Sequence, residues 1–204
     1  MLRLLRFLAA GAVAALVLTG CASTYRLDNQ VQSFSQLQGM PAQPSYRFER
    51  SLSQQVDPAQ QALEALADPA LHRAGLRRDD AAPRYSVQVS ARTVRSLSPY
   101  ADPWGPWGPW GWGGWNIGLS GRHIGLGVGG PWPYADSYWF HREVSVIIRE
   151  LATNRVVYET HAVSDGPLLD NNAVLPAMFD AAMQGFPTPP PGPRRVDVQI
   201  GRKS

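Results

Sequence analysis

The sequence predicts an α+β protein, a two-layer sandwich in which a mostly antiparallel sheet of about five to six strands carries two helices on one face. Three observations indicate this fold. Residues 84–94 and 143–163 alternate apolar and polar side chains, as half-buried strands do. Residues 58–74 and 175–186 repeat apolar side chains at helical spacing. An insert rich in glycine, tryptophan and proline over residues 96–138 follows neither pattern and separates two of the strands.

The first 20 residues have the layout of an export signal. They begin with two arginines, Arg3 and Arg6, continue with an apolar run over residues 7–18, and end with the small side chains of Thr19 and Gly20. The apolar run is about a dozen residues long, whereas a helix needs about 20 to cross a bilayer. We therefore expect residues 1–20 to be removed on export rather than kept as a membrane span.

The segment Leu18-Thr19-Gly20-Cys21 resembles the bacterial lipobox. This resemblance implies that cleavage leaves Cys21 at the amino terminus, with a diacylglyceryl thioether on its sulfur and an acyl chain such as palmitate on its amino group. Each buried methylene adds about 0.8 kcal/mol of membrane affinity, so more than one chain makes anchoring stable. Residues 21–26 would form a tether that spans about 20 Å. The alternative is an ordinary export signal with a chance cysteine at its exit.

Composition limits the function of the mature chain. Removing residues 1–20 lowers the formal net charge from +3 to +1, because this segment contains two arginines and no acidic residue. Nucleic-acid binding needs a concentrated basic face, so we expect no nucleic acid partner. Cys21 is the single cysteine, which leaves no disulfide and no thiol for catalysis or metal binding. We expect residues 27–200 to form one domain with an ordinary core, followed by a tail at 201–204.

The first helix begins at Asp57-Pro58, where the aspartate caps free N–H groups and the proline takes the first helical position. Asp68-Pro69 repeats this pair, which predicts a kink or a second helix start. The packing face is expected to consist of Ala59, Ala62, Leu63, Leu66, Ala70, Leu71 and Ala74. Caps for the second helix are offered by Asp170, Asn171 and Asn172. Its apolar stripe comprises Leu175, Met178, Phe179, Ala182, Met183 and Phe186.

Six segments predict the strands of the sheet. They are residues 27–34, 46–49, 84–94, 143–151, 155–163 and 194–200. The fourth and fifth form a hairpin, because placing their apolar side chains on one face fixes the register of the pair. That register pairs Val144 with Ala162, Val146 with Thr160, and Ile148 with Tyr158. Val156 also points inward, and Ala152-Thr153-Asn154 is the loop, with Asn154 suited to the left-handed position.

The insert contains a Pro-Trp-Gly repeat and is the candidate contact surface of the protein. Its tryptophans are Trp104, Trp107, Trp110, Trp112, Trp115 and Trp132. Indole is apolar with one polar N–H and favours the membrane–water interface, and it also packs against a partner protein or a glycan. The alternative is a low-complexity insertion whose rings cover an edge of the sheet. Alternation on both sides of Ser120-Gly121-Arg122 predicts a small hairpin that extends the sheet.

A search for catalytic and metal-binding patterns gives no candidate catalytic residue. The hairpin register separates His141 from His161 by about 13 Å along the strand, so they cannot share a zinc ion. His72 and His123 stand alone as well, and each histidine is interpreted as a surface residue. No nucleophile elbow, phosphate-binding glycine loop or zinc-protease motif is present in the sequence. We expect a protein without enzymatic activity, without a metal, and with no cofactor besides the lipid on Cys21.

Several segments together resemble bacterial envelope lipoproteins of domain-of-unknown-function family 4136. They are the lipobox, Tyr46-Arg47-Phe48, the strand at 84–94, the glycine-aromatic insert, the hairpin through Val156-Val157-Tyr158-Glu159-Thr160, Asp165-Gly166, and residues 175–187. The resemblance implies an envelope lipoprotein with a compact domain of strands and two helices, and it transfers no catalytic residue. Ala22-Ser23 after the cysteine, in place of an aspartate, suggests by analogy the periplasmic side of the outer membrane.

Three functions remain open from the sequence. The leading hypothesis is a structural or assembly component of the cell envelope, which acts through a sheet edge or the tryptophan insert and contacts an envelope protein partner. The second is a carrier or sensor that binds an apolar or glycan ligand in an aromatic-lined cleft beside Tyr85, Tyr158 and Phe179. A hydrolase is the third.

Overall fold

The computed structural model describes residues 24–98, 115–120, 123–128 and 138–201 of the chain. The strands of these residues are β1 Thr24–Ser35, β2 Ser45–Phe48, β3 Arg77–Arg78, β4 Tyr85–Leu97, β5 Trp115–Ser120, β6 His123–Val128, β7 Tyr138–Glu150, β8 Arg155–Gly166 and β9 Arg194–Gly201. The α-helices are α1 Pro58–Arg73 and α2 Asn171–Met183, and a short 3₁₀ turn covers Gln54–Val56. Neither α-helix of this described part is long and apolar enough to span a bilayer.

One open, seven-stranded sheet forms the centre of the fold, in the order β3-β2-β4-β7-β8-β1-β9. β1 pairs antiparallel with β8 and β9, and β7 pairs antiparallel with β4 and β8. β2 is parallel to both of its neighbours, β3 and β4. The fold is therefore mixed α/β, with a parallel edge and one strand more than the expected range. The missed strand is β3, since two adjacent exposed arginines, Arg77 and Arg78, show no alternation that predicts a strand.

The β7–β8 hairpin has the register that the sequence predicts. Val144 pairs with Ala162, Val146 with Thr160, and Ile148 with Tyr158. Asn154 takes the left-handed conformation with φ 52°. The loop covers residues 151–154, one residue more than predicted, because β7 ends at Glu150.

A β-bulge in β8 changes which valine of this hairpin faces the core. After Ile148, Arg149 pairs with Val156, which leaves Val157 as the extra residue of β8. Val157 packs against the core, whereas the prediction had assigned this place to Val156. The alternating pattern assumes that each residue of β8 pairs with one residue of β7, so alternation alone could not locate an extra residue.

Helix α1 begins as predicted but does not restart. The Asp57 carboxylate accepts a hydrogen bond from the Ala59 N–H at 2.9 Å. The helix then continues through Pro69 without interruption, so of the two predicted alternatives, a kink or a second start, the second start is wrong. The Asp68 carboxylate, which would have capped that start, instead accepts a hydrogen bond from the Tyr46 hydroxyl on β2.

The buried face of α1 is rotated from the predicted one. Ala59 and Ala62 are exposed, whereas Gln60 and Glu64 are buried. The remaining buried residues of the helix are Ala67, Ala70 and Leu71. A face chosen by hydrophobicity alone assigns polar residues to solvent, and here two of them form hydrogen bonds inside the protein.

The two helices cover one face of the sheet and pack against each other. α2 contacts β1, β7, β8 and β9, and α1 contacts β3 and β4. The Asp170 carboxylate caps α2 by accepting a hydrogen bond from the Asn172 N–H at 2.9 Å, as the sequence predicts. Buried side chains of both helices and of the alternating strand positions form one core cluster, with Val87, Val146 and Phe179 fully buried in it.

The other face of the sheet is polar. Its side chains include Arg26, Asp28, Gln30, Glu143, Arg149, Glu159, His161, Arg195 and Asp197, which alternate with core positions. No helix within the described ranges covers this face. One face thus carries the helices and the core, and the other carries side chains that are exposed or half-buried.

Strands β5 and β6 form the hairpin predicted within the insert, with Leu119 opposite Ile124. They make a two-stranded sheet of their own and are not part of the seven-stranded sheet. The prediction of a hairpin is therefore confirmed for the backbone, and the prediction that it extends the main sheet is wrong.

Candidate functional sites at the two ends of the sheet

The strand directions bring two chain segments to one end of the sheet. β1 and β7 run the same way, because each is antiparallel to β8, and β4 runs the opposite way. The start of β1 at Thr24, the end of β4 at Leu97 and the start of β7 at Tyr138 therefore lie at the same end. We refer to this as the Thr24 end. The opposite end carries the β7–β8 loop and is referred to as the Asn154 end.

The predicted site residues are close in sequence to the strand residues of the Thr24 end. Cys21 lies outside the described residues, three positions before Thr24. The tryptophan insert leaves the sheet at Leu97 and returns at Tyr138, both at this end. Trp115 is the first residue of β5, and its side chain lies outside the description. Also outside the described residues are Trp104, Trp107, Trp110, Trp112 and Trp132.

Apolar side chains are exposed at the Thr24 end. Leu97 is 76% exposed at the end of β4, and Val94 is 40% exposed on the other face of the same strand, where it pairs with His141. Leu169 is 74% exposed in the loop that follows β8. A single exposed leucine is ordinary, but Leu97 and Leu169 both lie at the end where the insert leaves the sheet, which makes them candidates for its contact surface.

A buried arginine fixes the loop beside this end. Arg142 is 2% exposed, and its Nε donates a hydrogen bond to Asn171 Oδ1 at 2.8 Å. Its Nη2 donates to the Leu168 carbonyl, and its guanidinium lies 4.7 Å from the centroid of the Phe140 ring. Burial lowers the pKa of Arg142 from its ordinary value. These contacts join β7 to the start of α2 and hold the loop that carries Leu169.

A polar cleft of about 630 Å³ opens at the Asn154 end. It is lined by Arg47, Phe48, Glu49, Arg50, Gln55, Ser86, Arg149, Leu151 and Asn154. Its floor is a row of three residues that face each other across β2, β4 and β7. Arg47 is opposite Ser86, and Ser86 is opposite Arg149.

The Glu49 carboxylate contacts two of the three residues in this row. Glu49 accepts a hydrogen bond from the Ser86 hydroxyl at 2.6 Å, and its Oε2 lies 3.8 Å from Arg149 Nε. Arg149 also donates from Nη1 to the Asn154 carbonyl at 3.0 Å. Arg47 is exposed and forms no ion pair with any residue that the structure describes. The cleft therefore carries more positive than negative charge.

A buried polar network supports the wall of the cleft. Arg50 Nε donates to Glu64 Oε1 at 2.7 Å, and Arg50 Nη2 forms a second bond to the other carboxylate oxygen. The Glu64 side chain is 2% exposed, and its hydrogen bonds raise the pKa of Arg50. Gln60 Nε2 lies 3.3 Å from both Glu64 Oε1 and the Val89 carbonyl oxygen. The network ties α1 to the end of β2 and to β4.

This network was not predicted, although the sequence contains a signal for it. Gln60 and Glu64 are four residues apart, and Ala67 and Leu71 continue the same helical face. A polar pair aligned with a buried apolar stripe indicates that a buried partner of opposite charge exists elsewhere. That partner, Arg50, directly follows a short strand that the sequence did predict.

The histidines on the polar face pair separately with carboxylates. His141 Nδ1 lies 2.8 Å from Asp165 Oδ1, and His161 Nε2 lies 2.8 Å from Glu159 Oε1. His161 is opposite Ser145, as the predicted register requires. Within the described ranges, no group of three histidine, cysteine or acidic side chains is arranged to hold a metal ion.

Charges on β1 and β9 pair across the strands. Arg195 Nη2 donates to Asp28 Oδ2 at 2.5 Å, and Arg26 forms an ion pair with Asp197. The hydrogen bond from Arg195 holds the pKa of Asp28 below its usual value. These four side chains are thus accounted for by cross-strand pairing within the sheet.

The fold defines a class of two-layer α/β proteins with one face covered by helices and one open polar face. A family model described as a domain of unknown function, DUF4136, matches residues 28–188. The chain belongs to this family, as the resemblance in its sequence predicted. No curated protein matches the chain.

Solved structures of other proteins are similar to this chain, with low sequence identity and TM-scores below 0.5. A PDZ domain protein from Parabacteroides distasonis has a TM-score of 0.48 and 13% identity, over 93% of this chain and 42% of the other. The chain thus spans less than half the length of that protein. The PelC dodecamer from Paraburkholderia phytofirmans, in two crystal forms, has TM-scores of 0.42 and 0.43 and 11% identity, over 76% of this chain and 94% of PelC.

Proposed function

We propose that the protein is a lipid-anchored component of the cell envelope, held by Cys21 at the periplasmic side of the outer membrane. It acts as a structural or assembly component without enzymatic activity. Its contact surface comprises the tryptophan insert and the exposed apolar residues of the Thr24 end, and its partner is another envelope protein.

The observation that carries this proposal is that β1 begins at the same end of the sheet at which β4 ends before the insert and β7 begins after it. Two residues separate Cys21 from Thr24, and the three Cα-to-Cα steps between them span at most about 10 Å. A lipid on Cys21 would therefore bring the Thr24 end of the sheet against the membrane surface. The insert leaves and rejoins the sheet at the same end, so its tryptophans would meet the membrane or proteins embedded in it.

The second candidate function, a carrier of an apolar or glycan ligand, has less support. It requires an aromatic-lined cleft beside Tyr85, Tyr158 and Phe179. These three side chains are at most 2% exposed and belong to the core cluster. The cleft at the Asn154 end is lined by none of them and is mainly polar.

Photocrosslinking in intact cells tests the proposed contact surface. A photoreactive amino acid at Trp107 should form an adduct of defined mass with one outer-membrane protein, because Trp107 belongs to the insert that we propose as the contact surface. The matched control carries the same amino acid at Ala152, which is exposed in the loop of the Asn154 end. The adduct should also disappear when Cys21 is replaced by serine. Equal adducts from both positions, or none from Trp107, would count against an assembly role for the insert.

A further inference from the structure

We propose that the cleft at the Asn154 end is a binding site for an oxyanion, the carboxylate or phosphate group of a small ligand. The site consists of Arg47 and Arg149, with Ser86 between them and Glu49 at its edge. The inference goes beyond the proposed envelope role and does not depend on the lipid anchor.

The row across three strands provides the first argument. Neighbouring strands lie about 4.8 Å apart, so Arg47 and Arg149 are about 10 Å apart at the backbone with the small Ser86 between them. Like charges on one sheet face repel each other. An anion between the two guanidinium groups relieves this repulsion, and the planar fork of arginine fits carboxylate and phosphate oxygens.

The position of Glu49 provides the second argument. Its carboxylate already accepts a hydrogen bond from Ser86, so the cleft holds an oxyanion of its own at one edge. At 3.8 Å, Glu49 Oε2 and Arg149 Nε form an ion pair without a hydrogen bond, and Arg149 Nη1 donates to the Asn154 carbonyl, so Nε and Nη2 of Arg149 keep donors for a second anion. The Glu49 carboxylate therefore shows that an oxyanion is stable beside Ser86. Its negative charge also repels a second anion and so lowers the affinity of the cleft.

The surrounding residues give the cleft a fixed shape and a positive field. Arg50 is held by Glu64 through two hydrogen bonds, so it forms a rigid part of the wall rather than the binding group. Phe48 and Leu151 add apolar surface beside the arginines. A volume of about 630 Å³ lies within the range of small-molecule sites, which leaves room for a ligand larger than its charged group.

An NMR titration tests the site. The full chain in detergent is titrated with inorganic phosphate, and separately with acetate, and the changes of the backbone amide chemical shifts are measured. Sodium chloride keeps the ionic strength constant, so general screening is the same throughout. We expect saturable shifts that centre on Ser86 and Asn154, and the arm with the lower Kd identifies phosphate or carboxylate as the preferred group. Absence of saturable shifts at these residues in both arms would overturn the proposal.

Two substitutions should change the affinity in opposite directions. Arg47→Gln should weaken binding and Glu49→Gln should strengthen it, each by about fivefold, the size expected for one exposed charge. Arg92→Gln is the matched control, because Arg92 is also exposed on a strand but lies toward the Thr24 end. Equal loss of affinity in R47Q and R92Q would show a response to net charge alone. That result, or weaker binding by E49Q, would contradict the proposed site.

Discussion

Replacement of Cys21 by serine is expected to move the protein from the membrane fraction to the soluble periplasmic fraction. The physical reason is that serine has no sulfur for the thioether and therefore receives no acyl chains. At about 0.8 kcal/mol for each buried methylene, the lost chains represent almost the whole membrane affinity. Fractionation with immunodetection measures the effect, and mass spectrometry of the parent protein should show the mass of the acyl chains on its first residue.

Ser23→Ala provides the matched control for this release. It changes a neighbouring side chain and keeps the cysteine, so it should remain in the membrane fraction. Firm retention of the Cys21→Ser protein after an alkaline wash would contradict the anchor. An unmodified first residue in the parent protein would do the same.

The second large effect is expected from Arg50→Ala, which should lower the free energy of unfolding by about 3 kcal/mol. Removal of the guanidinium leaves the Glu64 carboxylate buried, with Gln60 as its remaining described hydrogen-bond donor. For a protein of this length, such a loss lowers Tm by about 10 °C. Chemical denaturation and calorimetry of the purified chain measure the two quantities.

Two comparisons isolate the buried charge as the cause. Arg47→Ala removes an exposed arginine of the same cleft and should change stability by less than about 1 kcal/mol. The double variant Arg50→Ala with Glu64→Leu should be more stable than Arg50→Ala alone, because it no longer buries an unpaired carboxylate. Equal losses in Arg47→Ala and Arg50→Ala would show that the Glu64 pair has no special role.

The register of the main hairpin could be predicted because its residues alternate strictly. Val144, Val146 and Ile148 form the core side of β7, and a shift by one residue would expose all three. Capping of α1 and α2 could be predicted for a similarly local reason, since Asp57 and Asp170 bond to N–H groups two residues away.

The partners of the polar residues could not be predicted, because they depend on pairings between distant segments. β2 lies parallel to β4, and no local pattern indicates that Arg47 and Arg149 share a row with Ser86. Glu64 was not included in the predicted packing face of α1, because its partner Arg50 lies outside the helix. The clustering of Thr24, Leu97 and Tyr138 likewise follows only from the strand order.

The depth of the two sheet ends in a membrane tests the proposed orientation most directly. Fluorescent labels are attached to Leu169→Cys or Ala152→Cys in the lipidated protein, where the lipid already blocks the Cys21 sulfur. The two positions flank β8, whose 12 residues extend about 36 Å. In vesicles that contain a quencher lipid, the label at residue 169 should be strongly quenched and the label at 152 should not. Equal quenching, or stronger quenching at 152, would contradict an orientation in which the Thr24 end faces the membrane.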